Sequence, residues 1–305
     1  MARTVALIGT GIMGAHMARR LAQAGLPTMV WNRDHAKAER LTQYGVSTAE
    51  TPSAACEQAD AIIVMLSNGP VVEEVMFAAD ASGRVPAEAM RKGSALIVMS
   101  SIPVETCQAQ GQRMAARGVG YIDAPVSGGE PGARDGTLAI MAGGDQADFD
   151  AVKDVVAHLS SRFTLMCPSG AGQTTKLVNQ IIVGTTVAAV AEAMTFAARG
   201  GADPAAWRQA LMGGFADSKI LNLHGQRMVE RNFVPGGPAE YQLKDMRTAQ
   251  AWAEKNGLKF TLLDCVEDMF SELIERFGTG LDVSAIMREV ERSAGGKDAT
   301  KEGKS

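Results

Sequence analysis

Close to its start the chain carries a compact apolar run over residues 4–8. Gly9-Thr10-Gly11-Ile12-Met13-Gly14 follows at once, and then Met17 and Leu21 at helical spacing. After a turn at Gly25-Leu26-Pro27 comes a second apolar run, 28–31, which stops at Asn32-Arg33-Asp34. Strand, glycine turn, helix, strand is a narrow specification. In such a turn the first glycine permits a tight bend, the second lets backbone approach a pyrophosphate, and the third lets helix and strand pack closely. The helix N-terminus then offers N–H groups and a partial positive charge to phosphate. Gly9, Thr10, Gly11, Ile12, Met13 and Gly14 are therefore candidate cofactor-binding residues. A glycine turn without a ligand is the alternative, and the flanking elements argue against it.

The end of the second strand reports on which dinucleotide is bound. NAD sites place an acidic residue there to hold the ribose 2′-OH. Here the positions are Asn32 and Arg33, and an arginine can stack on adenine and pair with a 2′-phosphate. NADP(H) is favoured on this reading. Asp34, one or two places late for the acidic role, leaves NAD(H) open, and a solvated loop is the plain alternative for Arg33.

Alternation continues through the first half. Residues 61–66 (A-I-I-V-M-L) end in Ser67-Asn68-Gly69-Pro70, residues 95–99 in Ser100-Ser101, and residues 120–124 in Pro125-Val126-Ser127-Gly128-Gly129. In an open parallel sheet ligands lie beyond the carboxyl ends of the strands. All three ends carry small or polar residues, which suits a cofactor and a substrate lying across them. Residues 138–141 and 163–166 read as edge strands completing this domain.

A long apolar stretch, 170–201, divides the chain. It opens on G-A-G-Q-T-T-K, runs about eight turns at 3.6 residues each, and stops at Gly200-Gly201. Lys176 shares a face with Asn179 and Gln180, beside a wall of apolar side chains. Beyond it only helices are expected: 204–212, around 220–231, 243–256, 262–276 and 283–293. The fold class is α/β. A Rossmann-type doubly wound N-terminal domain (1–167) precedes an all-α C-terminal domain (168–294), joined by a long interdomain helix. A polar tail (295–305) is expected to be disordered.

Net charge is −4, so no basic surface invites nucleic acid or an anionic membrane. The four cysteines lack CxxC spacing or a histidine pair, which argues against a disulfide framework and against a metal site; they read as buried small hydrophobes in a reducing compartment. No stretch reads as a membrane span. The nearest, 178–191, contains Asn179, Gln180, threonine and glycine and reads as a buried helix. With no signal-peptide pattern at its start, a cytoplasmic enzyme is expected.

Four blocks carry a resemblance: G-T-G-I-M-G at 9–14, D-A-P-V-S-G-G at 123–129 with G-T-L-A-I-M-A-G-G after it, G-A-G-Q-T-T-K-L-V-N-Q at 170–180, and Q-L-K-D-M at 242–246. In this order they resemble the β-hydroxyacid dehydrogenases, a family that includes 3-hydroxyisobutyrate dehydrogenases, tartronate semialdehyde reductases and glyoxylate/succinic semialdehyde reductases. The K-L-x-N-Q form is most similar to the tartronate semialdehyde reductase-like members. The resemblance implies that Lys176 is catalytic and that Ser127, Gly128 and Gly129 bind a substrate carboxylate. It puts Asn179 and Gln180 on the substrate, Lys244 on the cofactor, and Leu66, Ser67 and Ser101 along the nicotinamide side. One block departs: relatives read D-x-S-T/S-x-x-P, and here Val98-Met99-Ser100-Ser101-Ile102-Pro103 stands instead. Whether Ser100 or Ser101 makes the cofactor contact stays open.

The chemistry has a physical basis too. Hydride added to an aldehyde carbon leaves negative charge on oxygen, which a positioned ammonium stabilises and protonates; such general-acid work is worth about 10²–10⁴-fold. Apolar neighbours lower an amine's pKa toward working pH. Backbone N–H groups around Gly128-Gly129 can cradle a carboxylate. The expected activity is NAD(P)-dependent interconversion of a short-chain hydroxy acid and its semialdehyde. Two alternatives are imine reduction on the same fold and a non-catalytic cofactor-binding module. Small residues along 184–193 would let two such helices pack, so a homodimer or homotetramer is expected.

Overall fold

A computed structural model describes residues 3–295; the expected disordered tail lies outside the described residues apart from Gly295. The chain forms two compact units, one through Lys176 and one from Leu177. The division falls within the long helix.

In the first unit, nine strands alternate with eight helices among the described residues. The strands are β1 (Val5–Ile8), β2 (Thr28–Trp31), β3 (Ser47–Thr48), β4 (Ala61–Val64), β5 (Ala95–Val98), β6 (Gly120–Asp123), β7 (Val126–Ser127), β8 (Leu138–Ala142) and β9 (Ser160–Leu165). The helices are α1 (Ile12–Gln23), α2 (His35–Glu39), α3 (Pro52–Glu57), α4 (Gly69–Phe77), α5 (Pro86–Ala89), α6 (Val104–Ala115), α7 (Gly129–Asp135) and α8 (Gln146–Val156).

Six strands make one parallel sheet in the order β3-β2-β1-β4-β5-β6. Every residue of β1, β4 and β5 is buried. That is why these strands read as unbroken apolar runs: helices cover both faces of a parallel sheet. Successive residues alternate between two cores. Leu7, Ile63 and Ile97 pack with Met17 of α1 and Val152 of α8. Ile8, Ile62 and Leu96 pack on the other face with Val72 of α4 and Cys107 of α6.

Register sets where chemistry can occur. Ile8 pairs with Trp31 and Val64, Val64 with Val98, and Val98 with Asp123. The segments that follow (Gly9, Asn32, Met65, Met99 and Ala124) therefore leave the sheet at one level. The chain order reverses beside β1, the switch point at which ligands bind in such sheets.

The expected edge strands do not extend this sheet. β8 pairs with β7 and β9 in a separate three-stranded sheet. Pro125 has no N–H with which to continue the β6 ladder, and an isolated bridge between Asp123 and Gly143, with Met141 N donating to Pro125 O, joins the two sheets at this point.

The second unit is helical. After the remainder of α9 (Ala171–Arg199) come α10 (Pro204–Leu211), α11 (Lys219–Val229), α12 (Ala239–Lys255), α13 (Thr261–Phe277) and α14 (Ile286–Ser293), the last entered through a 3₁₀ turn at Val283–Ala285. At 29 residues α9 is about 43 Å long. It ends where Ala202 N donates to Ala197 O and Gly201 takes φ +80°. By length and mean hydropathy α9 could cross a bilayer, contrary to the sequence reading, yet Val187, Val190, Ala191 and Met194 are buried in the protein. Gly184, the first of the small residues along 184–193, lies against α12, where a Cβ would sit 2.7 Å from Gln242 Nε2. Asp282 staples the loop before α12 by accepting from Gly236 N, Gly237 N and Ser284 Oγ at 2.8–3.0 Å. Cys56 and Cys107 are buried as expected, and burial pushes the Cys56 thiol up to about 12; Cys167 and Cys265 are exposed, which corrects the sequence reading.

Candidate functional site

The three glycines of the turn after β1 answer to three different constraints. Gly9 has φ +102°, and a Cβ on it would lie 2.3 Å from Met65 O. A Cβ on Gly14 would lie 1.9 Å from Gly9 O, so strand turn and helix touch backbone to backbone. Gly11 is different. A Cβ there meets nothing within 4 Å, and its backbone is extended at φ −70°. The protein's own packing does not demand a glycine at that point; an approaching ligand would.

Gly11 is also the N-cap of α1, which has no side-chain cap and no acidic residue in its first turn. Ile12 is half exposed and Met13 partly buried behind it. Beside them Thr10 Oγ1 is buried with no hydrogen-bond partner among the described residues. Buried hydroxyls are nearly always satisfied. Open space at Gly11, an uncapped helix start and an orphaned hydroxyl fit a dinucleotide pyrophosphate.

Asn32 braces this turn. Its Oδ1 accepts from Thr10 N at 2.9 Å and its Nδ2 donates to Asp34 O at 3.0 Å. Arg33, next to it, is exposed. Asp34 stands at the N-cap position of α2 without a side-chain capping bond, and its carboxylate lies 3.7 Å from Lys37 Nζ.

At the ends of β4 and β5, Leu66 packs on the glycine turn and Leu66 N donates to Ser100 Oγ at 2.8 Å. The same Ser100 hydroxyl lies 3.4 Å from Val64 O and is buried. It ties two strands together. Ser101 is partly buried in the loop beyond, and Ser67 is exposed before α4.

Two residues the sequence reading did not single out organise the rest. Asp123, at the end of β6, is wholly buried. Its two oxygens accept Gly170 N at 2.8 Å and Gln173 N at 2.9 Å. A carboxylate from 47 and 50 residues away thus caps α9. Burial pushes its carboxyl up to about 6, against the downward pull of those N–H groups. Gly172 makes the approach possible, since a Cβ there would lie 2.6 Å from Asp123 O and from Met141 O. Gln173, also buried, accepts Ile102 N at 3.1 Å and donates to Ser100 O at 2.9 Å. Lys176 follows one turn later and is partly buried. The sequence held one signal for this clamp: an aspartate at a strand end that shares a block with glycines.

Ser127 closes β7, and the exposed Gly128 and Gly129 take φ +132° and +60° at the start of α7. This loop is held to α1, where His16 Nε2 lies 3.3 Å from Glu130 Oε1 and Arg20 donates to Arg134 O. Within the second unit Asn179, Gln180 and Lys244 are brought together. Asn179 Nδ2 donates to Gln180 Oε1, and Gln180 Nε2 donates to Gln242 Oε1 and Asp245 Oδ2, all at 2.8–2.9 Å. Lys244 pairs with Asp245 at 3.1 Å. Gln180 is thus directed at α12, and its amide is engaged there. Among the described residues no cluster of three His, Cys, Asp or Glu is placed to hold a metal ion.

Comparison with known proteins places this geometry. A family model described as the NAD binding domain of 6-phosphogluconate dehydrogenase matches residues 4–167. A second, described as NAD-binding of NADP-dependent 3-hydroxyisobutyrate dehydrogenase, matches 170–290. The 2-hydroxy-3-oxopropionate reductase of Escherichia coli (strain K12) is 41% identical over 291 residues, covering 95% of this chain and 98% of that protein. The crystal structure of 3-hydroxyisobutyrate dehydrogenase from Salmonella typhimurium superposes with a TM-score of 0.85 at 27% identity, covering 93% and 99%. The Mycobacterium tuberculosis 3-hydroxyisobutyrate dehydrogenase, solved with L-serine, gives 0.84 at 26% identity, covering 94% and 98%.

Proposed function

The chain belongs to the β-hydroxyacid dehydrogenase family, and on that premise we propose that it interconverts a short-chain hydroxy acid and its semialdehyde, using NADP(H) in preference to NAD(H). The tartronate-semialdehyde type of substrate is favoured by the 41% identity to 2-hydroxy-3-oxopropionate reductase. A single observation carries the assignment of the chemistry: the clamp of Asp123 and Gln173 on the first turn of α9, which ties the helix bearing Lys176 to the ends of β5 and β6.

The bound dinucleotide supplies the hydride. Gly9–Gly14 hold its pyrophosphate, Thr10 Oγ1 gains a partner there, and Arg33 meets the 2′-phosphate. Leu66, Ser67 and Ser101 lie on the nicotinamide side; Ser100 supports them through Leu66 N. N–H groups of Ser127, Gly128 and Gly129 receive the substrate carboxylate. The ammonium of Lys176 protonates the oxygen as its charge develops and takes the proton back in the reverse direction. Asn179 orients the substrate, and Lys244 is assigned to the cofactor. The protein works as a homo-oligomer, through the face of α9 on which Val178, Ile182 and Phe196 are 51–82% exposed.

The test is a panel of semialdehyde acids and imines with NADPH and with NADH, repeated on Lys176→Ala. Turnover of semialdehyde acids with NADPH is expected. The variant should lose about 10²–10⁴-fold in kcat while keeping its cofactor dissociation constant. Reduction of imines alone, or a variant that retains its rate, would overturn the assignment.

A further inference from the structure

The loop between β5 and α6 leaves the sheet after Met99, whose N donates to Val64 O of β4. Ser100 and Ile102 stand on either side of Ser101, and Pro103, which follows, has no N–H to contribute. Without a partner the buried N–H of Ile102 would be left unpaired, at a cost of about 1–3 kcal/mol. Gln173 supplies that partner from 71 residues away. Its other carboxamide atom, Nε2, takes Ser100 O. One planar group therefore holds the backbone both before and after Ser101.

The same residue is anchored at its main chain, where its N–H donates to Asp123 Oδ2 at 2.9 Å. Lys176 lies three residues on, the neighbouring position along that helix face. Ser100 in turn holds Leu66 N at the end of β4. The bonds run Leu66–Ser100–Gln173–Asp123 and join β4, β5, β6 and the start of α9. Gln173 is 1% exposed, and its side chain makes these contacts at both ends.

We infer that Gln173 is a positioning residue: its carboxamide fixes the loop that carries Ser101 in register with the helix turn that carries Lys176. The inference rests on the activity proposed above. Removing the amide lets loop and lysine shift independently, and displacement of a reacting group by about 1 Å can cost on the order of 10²-fold in rate. The pyrophosphate turn makes none of these bonds, so the larger part of the cofactor's contacts stays in place.

Two substitutions in the full chain test this. Gln173→Met keeps length and apolar bulk and loses both hydrogen bonds; Gln173→Glu keeps an acceptor for Ile102 N and loses the donor to Ser100 O. Expected for Gln173→Met is a fall in kcat of about 10- to 100-fold, a cofactor dissociation constant within about twofold of wild type, and accelerated hydrogen exchange at the Ile102 amide. Gln173→Glu should fall between wild type and Gln173→Met in both rate and exchange, and it carries the comparison if Gln173→Met does not fold. Unchanged exchange at Ile102 would overturn the clamp whatever the activity. Accelerated exchange with kcat within about twofold of wild type would overturn the positioning role, as would parallel losses of rate, cofactor affinity and melting temperature. If the wild-type protein reduces no semialdehyde, the functional proposal has failed, and the exchange measurement reports on the clamp separately.

Discussion

Adding one methyl group at Gly11 and at Gly14 should have opposite consequences. At Gly11 the new Cβ meets nothing within 4 Å, and φ −70° is open to alanine. Restricting the unfolded chain then stabilises the protein by about 0.4–1 kcal/mol, a rise in Tm of roughly 1–4 °C. At Gly14 the Cβ would lie 1.9 Å from Gly9 O. Both partners are backbone, no rotamer relieves the overlap, and a cost of about 1–3 kcal/mol follows, a fall in Tm of between about 2 and 12 °C. The ligand sees the reverse order of merit. A methyl at Gly11 fills the space left for the pyrophosphate. Losing one charge-assisted hydrogen bond there costs about 1.5–3 kcal/mol, or about 10- to 150-fold in affinity. Fluorescence titration with NADPH and thermal melts of Gly11→Ala and Gly14→Ala give all four numbers. Cofactor affinity of Gly11→Ala within twofold of wild type would refute the placement of the pyrophosphate on this turn.

Other measurements probe separate links. Asp123 has a folded-state pKa raised to about 6 from 3.8, so its contribution is fully present below about 4 and is lost as pH rises through about 6. Over that window it amounts to on the order of 3 kcal/mol, and melts of wild type against Asp123→Asn between pH 4 and 7 should differ in slope by that contribution, wild type losing relative stability as pH rises. Arg33→Ala should lower kcat/KM with NADPH about tenfold or more and leave that with NADH nearly unchanged; equal losses with both would remove Arg33 from the 2′-phosphate. Ile182→Glu places a charge on the exposed face of α9 and should leave the fold intact while dissociating the assembly in light scattering. A wild-type protein that is already monomeric at micromolar concentration would sink the oligomer.

Much of this protein could be read from near neighbours along the chain. The apolar runs at 5–8, 61–64 and 95–98 lie buried on both faces, so continuous hydrophobicity marked them as central parallel strands. The glycine at 14 follows from its contact with Gly9 five residues back, and helix stops such as Gly200-Gly201 are equally local, whereas the glycine at 9 answers to Met65 O on a distant strand end. Side-chain partnership was not legible in this way. Asn32, Ser100, Gln180 and Gly184 each have a distant partner that no local pattern announces. In the fold their polar or small groups meet Thr10, Leu66, Asp245 and Gln242, at separations of 22 to 65 residues.

Local pattern fixed the layers, the order of strand and helix and the glycine turn, because periodicity and backbone sterics act over a few residues. Only the folded chain decided that an aspartate on β6 and a glutamine on α9 hold the lysine turn, and that residues 138–142 and 160–165 leave the main sheet for one of their own. A hydrogen bond needs about 3 Å between atoms, and no spacing in the sequence states which distant segments come that close.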